Sequence, residues 1–484
     1  MTWPTAQIHP LTPFNVDILA KPATLKKYDL AGPRYTSYPT APQFTSNFTQ
    51  QHWQAAVSSG NKAQKPLSLY FHIPFCDTVC YYCGCNKIIT ANKAKSTPYL
   101  TAIIKEMDLV AAQVDTTRPV QQLHFGGGTP TFLSDEQLTT LMNAVKARFN
   151  VADSAFRDFS IEVHPAGVTP QRIKHLRTIG FNRVSMGIQD FSPDVQKAVN
   201  RFNSPQQVGE LVTAVRENNF ASLSMDLIYG LPKQTAESFA ETLQKVIALS
   251  PDRIALFNYA HLPHLFKTQK QINARELPEP QEKLIILQQS IQSLCNAGYQ
   301  FIGMDHFAKV DDSLAVAQRE GELHRNFQGY STHGDCDLLA FGVSSISSIG
   351  NTYSQNSKNL TEYYAAINTN QLPIIKGLTL TDDDLLRREV ISQIICNFEL
   401  DYKKINRQFG IDVAQYFTDA LTELKVFEED GLIEFTQEKL HVKPCGRLLV
   451  RRICMAFDSY VSSNVNSHVS QQQTANTPQY SRIL

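Results

Sequence analysis

The sequence predicts an α/β fold: a partial (β/α)6-type barrel followed by a small, mainly helical domain. Three observations carry this expectation. From Pro66 onward, short runs rich in Val, Ile, Phe and Tyr alternate with longer amphipathic stretches. Strands alternating with helices imply βαβ units and a parallel sheet. Four cysteines crowd into one loop directly behind the first run, where a barrel keeps its active face. After about Asp382 the strand rhythm stops and helical patterns take over.

Residues 1–65 read as an irregular, proline-rich arm with at most a helix around Gln50–Ser58. The barrel is expected over 66–381. Its strand-length runs are Leu67–Ile73, Gln122–Phe125, Phe159–Val163, Arg183–Ile188, Ser222–Tyr229, Arg253–Tyr259 and Tyr299–Gly303. Between them lie helix patterns such as Ala236–Leu249, where Phe239, Leu243, Val246 and Ile247 share one face and Thr235 can cap the start. Six or seven such units fit a full or partial barrel. Residues 382–461 predict helices at Leu385–Cys396 and Val413–Phe427, two short strands at Leu432–Phe435 and Leu440–Val442, and a helix from Gly446. That order suggests a compact, winged-helix-like domain. The polar segment 462–484 reads as a tail.

Lys plus Arg and Asp plus Glu number 45 each, so the net charge is zero. Such a balance gives no long-range pull on nucleic acid or an anionic membrane. No run approaches ~18 consecutive apolar residues, and the N-terminus lacks the apolar core of a secretory signal. A cytoplasmic protein is the expectation. Nine cysteines, four clustered and five scattered, do not resemble a disulfide framework.

The central motif is Cys76-Asp-Thr-Val-Cys80-Tyr-Tyr-Cys83-Gly-Cys85. Thiolates spaced C-x3-C-x2-C can each take one iron of a [4Fe–4S] cube, leaving the fourth iron open to a chelating ligand. A four-cysteine zinc site using Cys85 is the competing reading, although no second C-x2–4-C knuckle is present. Next comes Gly126-Gly127-Gly128-Thr129-Pro130, behind the run Gln122–Phe125. Its glycines let backbone approach a ligand and its N–H groups can hold a carboxylate, while a bare turn explains it equally well. Polar residues recur at later strand ends: Glu162, Gln189, Asp226 and Asp305. One such residue is often a helix cap, but four on successive strands point to a shared ligand face. Arg201 follows closely and can grip a carboxylate with both arms or be a solvated helix charge.

The cysteine spacing resembles the signature of the radical S-adenosylmethionine (SAM) superfamily. That likeness implies a cluster on Cys76, Cys80 and Cys83, SAM chelated to the open iron, and reductive cleavage to a 5′-deoxyadenosyl radical. The glycine turn resembles the superfamily's SAM-amine element, but its acidic residue is missing here. Longer blocks are similar to the oxygen-independent coproporphyrinogen III oxidases: GPRYTSYPTA (32–41), LYFHIPFC (69–76), CYYCGCNKI (80–88), HFGGGTPT (124–131), FNRVSMGIQDF (181–191), DLIYGLPKQT (226–235), FIGMDHFA (301–308), LHRNFQGYST (323–332) and the closing YSRIL. The likeness spans about residues 27–484.

It implies oxidative decarboxylation of two propionates of coproporphyrinogen III to vinyls, giving protoporphyrinogen IX and CO2 with two SAM consumed. No general base is needed for that chemistry. By position, Tyr70, Gly127, Glu162 and Ile346 match contacts of the cluster-bound SAM. Tyr82, Gly128, Thr129, Gln189, Arg201, Asp226 and Ala260 match contacts of a second SAM. Tyr82 stands where relatives carry Phe, and His164 where they carry Asp. Cys85 is implied to lie beside the cluster without ligating it. Arg34, Arg325 and Gln328 are candidates to meet the substrate's carboxylates, with the arm closing over the barrel mouth. The implied partners are coproporphyrinogen III, an electron donor such as flavodoxin or ferredoxin, and an electron acceptor whose identity is not implied. A monomer is expected. Related haem chaperones share the cluster motif but lack the fourth cysteine and the GPRYTSYPTA block. Radical SAM methyltransferases and haem-opening enzymes are the other rivals.

Overall fold

The computed structural model describes residues 24, 27–28, 30–151 and 157–461. Residues 1–23 of the N-terminal extension, and the whole tail 462–484 with its YSRIL end, lie outside the described residues.

Six strands follow one another side by side, each parallel to the next: β1 (Leu67–Ile73), β2 (Pro119–Gly127), β3 (Asp158–Val163), β4 (Arg183–Gln189), β5 (Ser222–Tyr229) and β6 (Arg253–Asn258). Helices α2 (Ser96–Ala111), α3 (Asp135–Arg148), α4 (Pro170–Ile179), α5 (Pro205–Glu217) and α6 (Ala236–Leu249) cover the convex side, and α1 (Gln50–Ala63) precedes the barrel. Start signals agree with the chain's caps. Ser134 and Gln137 form a capping box at α3, and Thr235 accepts from Ser238 N at α6.

The strand pleat divides the residues. Along β4, Val184, Met186 and Ile188 are buried toward the helices, while Ser185, Gly187 and Gln189 face the concave lumen and stay partly exposed. Along β3, Phe159, Ile161 and Val163 pack outward and Ser160 and Glu162 point inward. Of the polar residues read at strand ends, Glu162 and Gln189 therefore belong to the inner wall.

Two edges differ from the sequence expectation. Tyr299–Gly303 (β7) is not a seventh parallel unit. It pairs antiparallel with β8 (His306–Lys309), and β8 pairs antiparallel with β6. The connection between them is only the Met304–Asp305 turn, too short for a crossover. On the other edge, an additional strand, β11 (Asp337–Phe341), runs parallel to β1 and is followed by the antiparallel strands Ile346–Ile349, Thr352–Asn356 and Ile374–Thr379. Before it, a hairpin of β9 (His324–Asn326) and β10 (Gly329–Ser331) enters the open side. It is tied to the inner wall by Gln122 Nε2 donating to Ser331 Oγ at 3.1 Å.

The region after Thr381 holds a long helix, Asp382–Asn397, and a three-stranded antiparallel sheet of Glu399–Asp401, Lys439–Val442 and Ile433–Phe435. The arm laces this region to the barrel. Tyr28 Oη donates to Asp430 at 2.5 Å, Tyr35 Oη to Asp458 at 2.9 Å, and Arg451 Nε to the Pro33 carbonyl at 2.9 Å. Thr45 N then donates to the Gly377 carbonyl at 2.9 Å. Among the described residues no helix is long and apolar enough to cross a membrane.

Candidate active site

The loop after β1 carries the cysteines because the chain leaves Ile73 straight into Pro74-Phe75-Cys76 and is stitched to its neighbour. Gly128 N donates to the Ile73 carbonyl at 2.8 Å and Thr129 N to the Phe75 carbonyl at 2.9 Å. Only glycine fits at two places in this turn. Gly127 has φ +115° and a Cβ there would stand 2.6 Å from the His72 ring; a Cβ on Gly128 would stand 2.6 Å from the Pro74 carbonyl oxygen.

Cys76, Cys80, Cys83 and Cys85 line one cavity of about 580 Å³ together with Tyr82, Gly127, Gly128, Thr129, Glu162, Gln189, Arg201 and Asp226. All nine cysteines are free. The segment 80–83 is pinned from several sides. Tyr81 N donates to the Val199 carbonyl at 3.0 Å, and Asn200 Nδ2 to the Val79 carbonyl at 2.8 Å. Lys87 Nζ reaches the Cys83 carbonyl at 2.8 Å, and Gln269 Nε2 reaches the Tyr82 carbonyl at 3.1 Å. Donors also approach the sulfurs: Thr129 Oγ1 lies 3.5 Å from Cys76 Sγ and Arg201 Nη1 3.5 Å from Cys80 Sγ. Burial pushes the Cys76 thiol up to about 11, whereas a hydrogen bond from Cys85, with Lys87 nearby, draws Cys83 down to about 6. Three sulfurs on one cavity wall, with hydrogen-bond donors behind them, fit the donor set of an iron–sulfur cluster.

A carboxylate from the neighbouring strand meets the glycine turn. Glu162 accepts from Gly127 N at 3.1 Å and from His124 Nε2 at 3.2 Å. Burial pushes this carboxyl up, but those two hydrogen bonds and the imidazole outweigh it and hold Glu162 below the usual carboxylate range. Glu162 also lines a second cavity of about 270 Å³ with Tyr70, His72, His124, Gln328 and Ile346. The residues matched to the first SAM thus border two adjoining spaces around one carboxylate. Those matched to the second share the larger cavity, except Ala260, which lines a third space of about 340 Å³. Gln269 Nε2 bridges that gap, reaching both the Ala260 and Tyr82 carbonyls. Burial, reinforced by Glu162, raises Asp226 to about 7. Arg201 Nε donates to the Gly187 carbonyl at 3.2 Å, so it is a held wall group and not a solvated charge.

The structure gives Arg34 a partner that its sequence neighbourhood does not show: it is ion-paired with Asp305 in the third cavity. Asp305 accordingly belongs to that pair and not to the face shared by Glu162, Gln189 and Asp226, because the β7–β8 turn carries it away. His164 accepts from Ala166 N at 3.2 Å, the capping contact that an Asp would make. The sequence reading missed His72, His124 and Gln269. It also missed the loop over Ile346, which Glu106 braces. Glu106 accepts from Gly342 N (2.8 Å), Asn356 Nδ2 (2.6 Å) and Tyr363 Oη (2.6 Å). His72 and His124 alternate with wall residues at period two, a signal that was available.

Known proteins resemble this chain. The model of the Radical SAM superfamily matches residues 70–246, and that of the HemN C-terminal domain matches 380–449. The oxygen-independent coproporphyrinogen III oxidase of Pseudomonas aeruginosa is 50% identical over 91% of this chain and 95% of its own length. The Escherichia coli protein of the same name is 48% identical over 96% and 98%. The solved structure of E. coli coproporphyrinogen III oxidase (HemN), described as a radical SAM enzyme, superposes with a TM-score of 0.86 at 49% identity, covering 88% of this chain and 98% of that one. On these likenesses the chain belongs to the oxygen-independent coproporphyrinogen III oxidase family.

Proposed function

We propose that this chain carries out the oxygen-independent oxidative decarboxylation of coproporphyrinogen III to protoporphyrinogen IX, turning the ring A and B propionates into vinyls. The observation that carries this reading is the gathering of Cys76, Cys80 and Cys83 with Glu162, Gln189, Arg201 and Asp226 around one cavity, in a chain of a family named for that substrate.

In this reading Cys76, Cys80 and Cys83 hold a [4Fe–4S] cluster and Cys85 stands beside it. When bound, the cluster and SAM supply one reducing electron and a carbon radical able to take hydrogen from a propionate. The chain's own groups orient and shield. Glu162, kept ionised, suits the ammonium of a SAM whose other neighbours are Tyr70, Gly127 and Ile346. Tyr82, Gly128, Thr129, Gln189, Arg201, Asp226 and Ala260 are read as the surroundings of a second SAM, with Arg201 toward a carboxylate and Asp226 toward a cation. Gln328 and the Arg34–Asp305 pair are read as facing the substrate. The described part of the arm, anchored at Tyr28, Tyr35 and Thr45, is read as excluding water from the lumen. A flavodoxin- or ferredoxin-type donor, a separate electron acceptor, a monomeric state, a cytoplasmic location and the division 1–65, 66–381, 382–461 and 462–484 complete the reading.

The test is an anaerobic assay of reconstituted protein with SAM, dithionite, coproporphyrinogen III and a cell extract as acceptor source. Protoporphyrin and 5′-deoxyadenosine are followed together, with Cys80→Ser as control. Both products in the native protein and neither in the variant are expected. Tight haem binding without either product would sink the reading and favour a chaperone.

A further inference from the structure

Beside the Arg34–Asp305 pair stands a second guanidinium, that of Arg325. Arg34 is paired with Asp305. Arg325, on β9, lies close enough that its charge, after burial, helps draw Arg34 down to about 10. Its guanidinium rests 4.8 Å over the Tyr330 ring, and its Nε and Nη1 are buried without a hydrogen-bond partner. The other edge of this arrangement is His306 on β8. Its ring meets Tyr330 at 5.3 Å and Phe257 at 6.0 Å, both edge to face, and its Nδ1 is buried without a partner. Burial and both arginines keep His306 neutral, so one ring nitrogen carries a proton available for donation. A buried guanidinium with unfilled donors is costly unless an anion completes it. Arg325 belongs to the β9–β10 hairpin and His306 to the strand beside β6; both side chains pack on the Tyr330 ring, and Arg325 is near enough for its charge to act on His306.

We propose that Arg325 and His306 form the seat of one substrate carboxylate, the guanidinium fork taking its two oxygens and the imidazole N–H a third hydrogen bond. This site rests on the function proposed above. It differs from the Arg34–Asp305 pair, whose charge is already matched, and it would fix which way the macrocycle lies in the lumen. A planar fork on an aromatic face is a carboxylate-reading geometry that a lysine only partly reproduces.

The experiment uses the cluster-reconstituted full chain with SAM under anaerobic conditions. Fluorescence titration measures binding of coproporphyrin III, the non-reacting oxidised form, and of its tetramethyl ester, which has no charged carboxylate. Native protein is expected to prefer the acid. Arg325→Met should weaken acid binding about 10-fold or more and leave ester and SAM binding unchanged. Arg325→Lys should keep part of the acid preference, and His306→Phe should lower it without altering the ester. Unchanged SAM binding shows that the variants are folded. If Arg325→Met and His306→Phe bind the acid as the native protein does, the seat is wrong while the function stands. If native protein binds SAM but no coproporphyrin, the function and the seat fail together.

Discussion

Replacing Gly128 by alanine tests how tightly the cysteine loop depends on its neighbour. The new Cβ would stand 2.6 Å from the Pro74 carbonyl oxygen, 2.7 Å from the Pro74 carbonyl carbon and 3.0 Å from Cys76 Sγ. The first two are backbone atoms and cannot rotate away, so the turn and the segment 73–76 must separate by ~0.8 Å to regain ordinary contact. That motion lies along the two hydrogen bonds that stitch them, Gly128 N to Ile73 and Thr129 N to Phe75. Losing both costs about 2–6 kcal/mol if the donors are left unpaired. A shift of this size beside Cys76 and Glu162 should lower SAM cleavage by ~10²-fold. The assay is iron content and visible absorbance after anaerobic reconstitution, followed by dithionite-driven release of 5′-deoxyadenosine. Gly167→Ala is the control: it lines the same cavity, but its Cβ would meet nothing within 4 Å. Native-like iron content and cleavage in Gly128→Ala would refute the reasoning, as would equal damage in Gly167→Ala.

Other predictions concern charge. Burial raises Glu106 to about 7, above its ordinary 4.5, so the folded chain keeps this proton where the unfolded chain releases it. Its contribution is full below pH ~4.5 and lost as pH rises through ~7, a fall of about 3 kcal/mol; Glu106→Gln should flatten that part of a stability–pH curve. Asp226, raised to about 7, gains charge across neutrality, so SAM in the larger cavity should bind ~10-fold tighter at pH 8 than at pH 6. Asp226→Asn should abolish that dependence in a calorimetric titration. Arg118 and Asp337 form an ion pair at 2.5 Å with side chains 2% and 4% exposed, joining the start of β2 to β11. Arg118→Met strands the Asp337 carboxylate and should cost ~3–5 kcal/mol in thermal or denaturant unfolding.

The parallel strands were legible because their apolar runs alternate with helical patterns, and the polar inner-wall residues because they recur at strand ends. The Gly-rich turn and the cysteine spacing announced themselves locally. What stayed hidden depends on distant partners. The run Asp337–Phe341 is apolar and of strand length, but nothing near it says that it pairs with β1, 270 residues earlier. Tyr299–Gly303 has strand composition, yet nothing near it shows that His306–Lys309 comes between it and β6. Nothing near Arg34 in the chain signals its pairing with Asp305, 271 residues later. Glu106 carries no local signal, because its partners Gly342, Asn356 and Tyr363 lie more than 200 residues away.

The most direct test of the central claim is CO2 release from coproporphyrinogen III labelled in the carboxyl carbons of its propionates, counted against protoporphyrinogen formed, in native protein and in Cys76→Ser, Cys80→Ser and Cys83→Ser. Two labelled CO2 per protoporphyrinogen in the native protein, and none in any of the three variants, is the predicted result. SAM cleavage that proceeds without CO2 release, or CO2 release that survives loss of one of these cysteines, would contradict it.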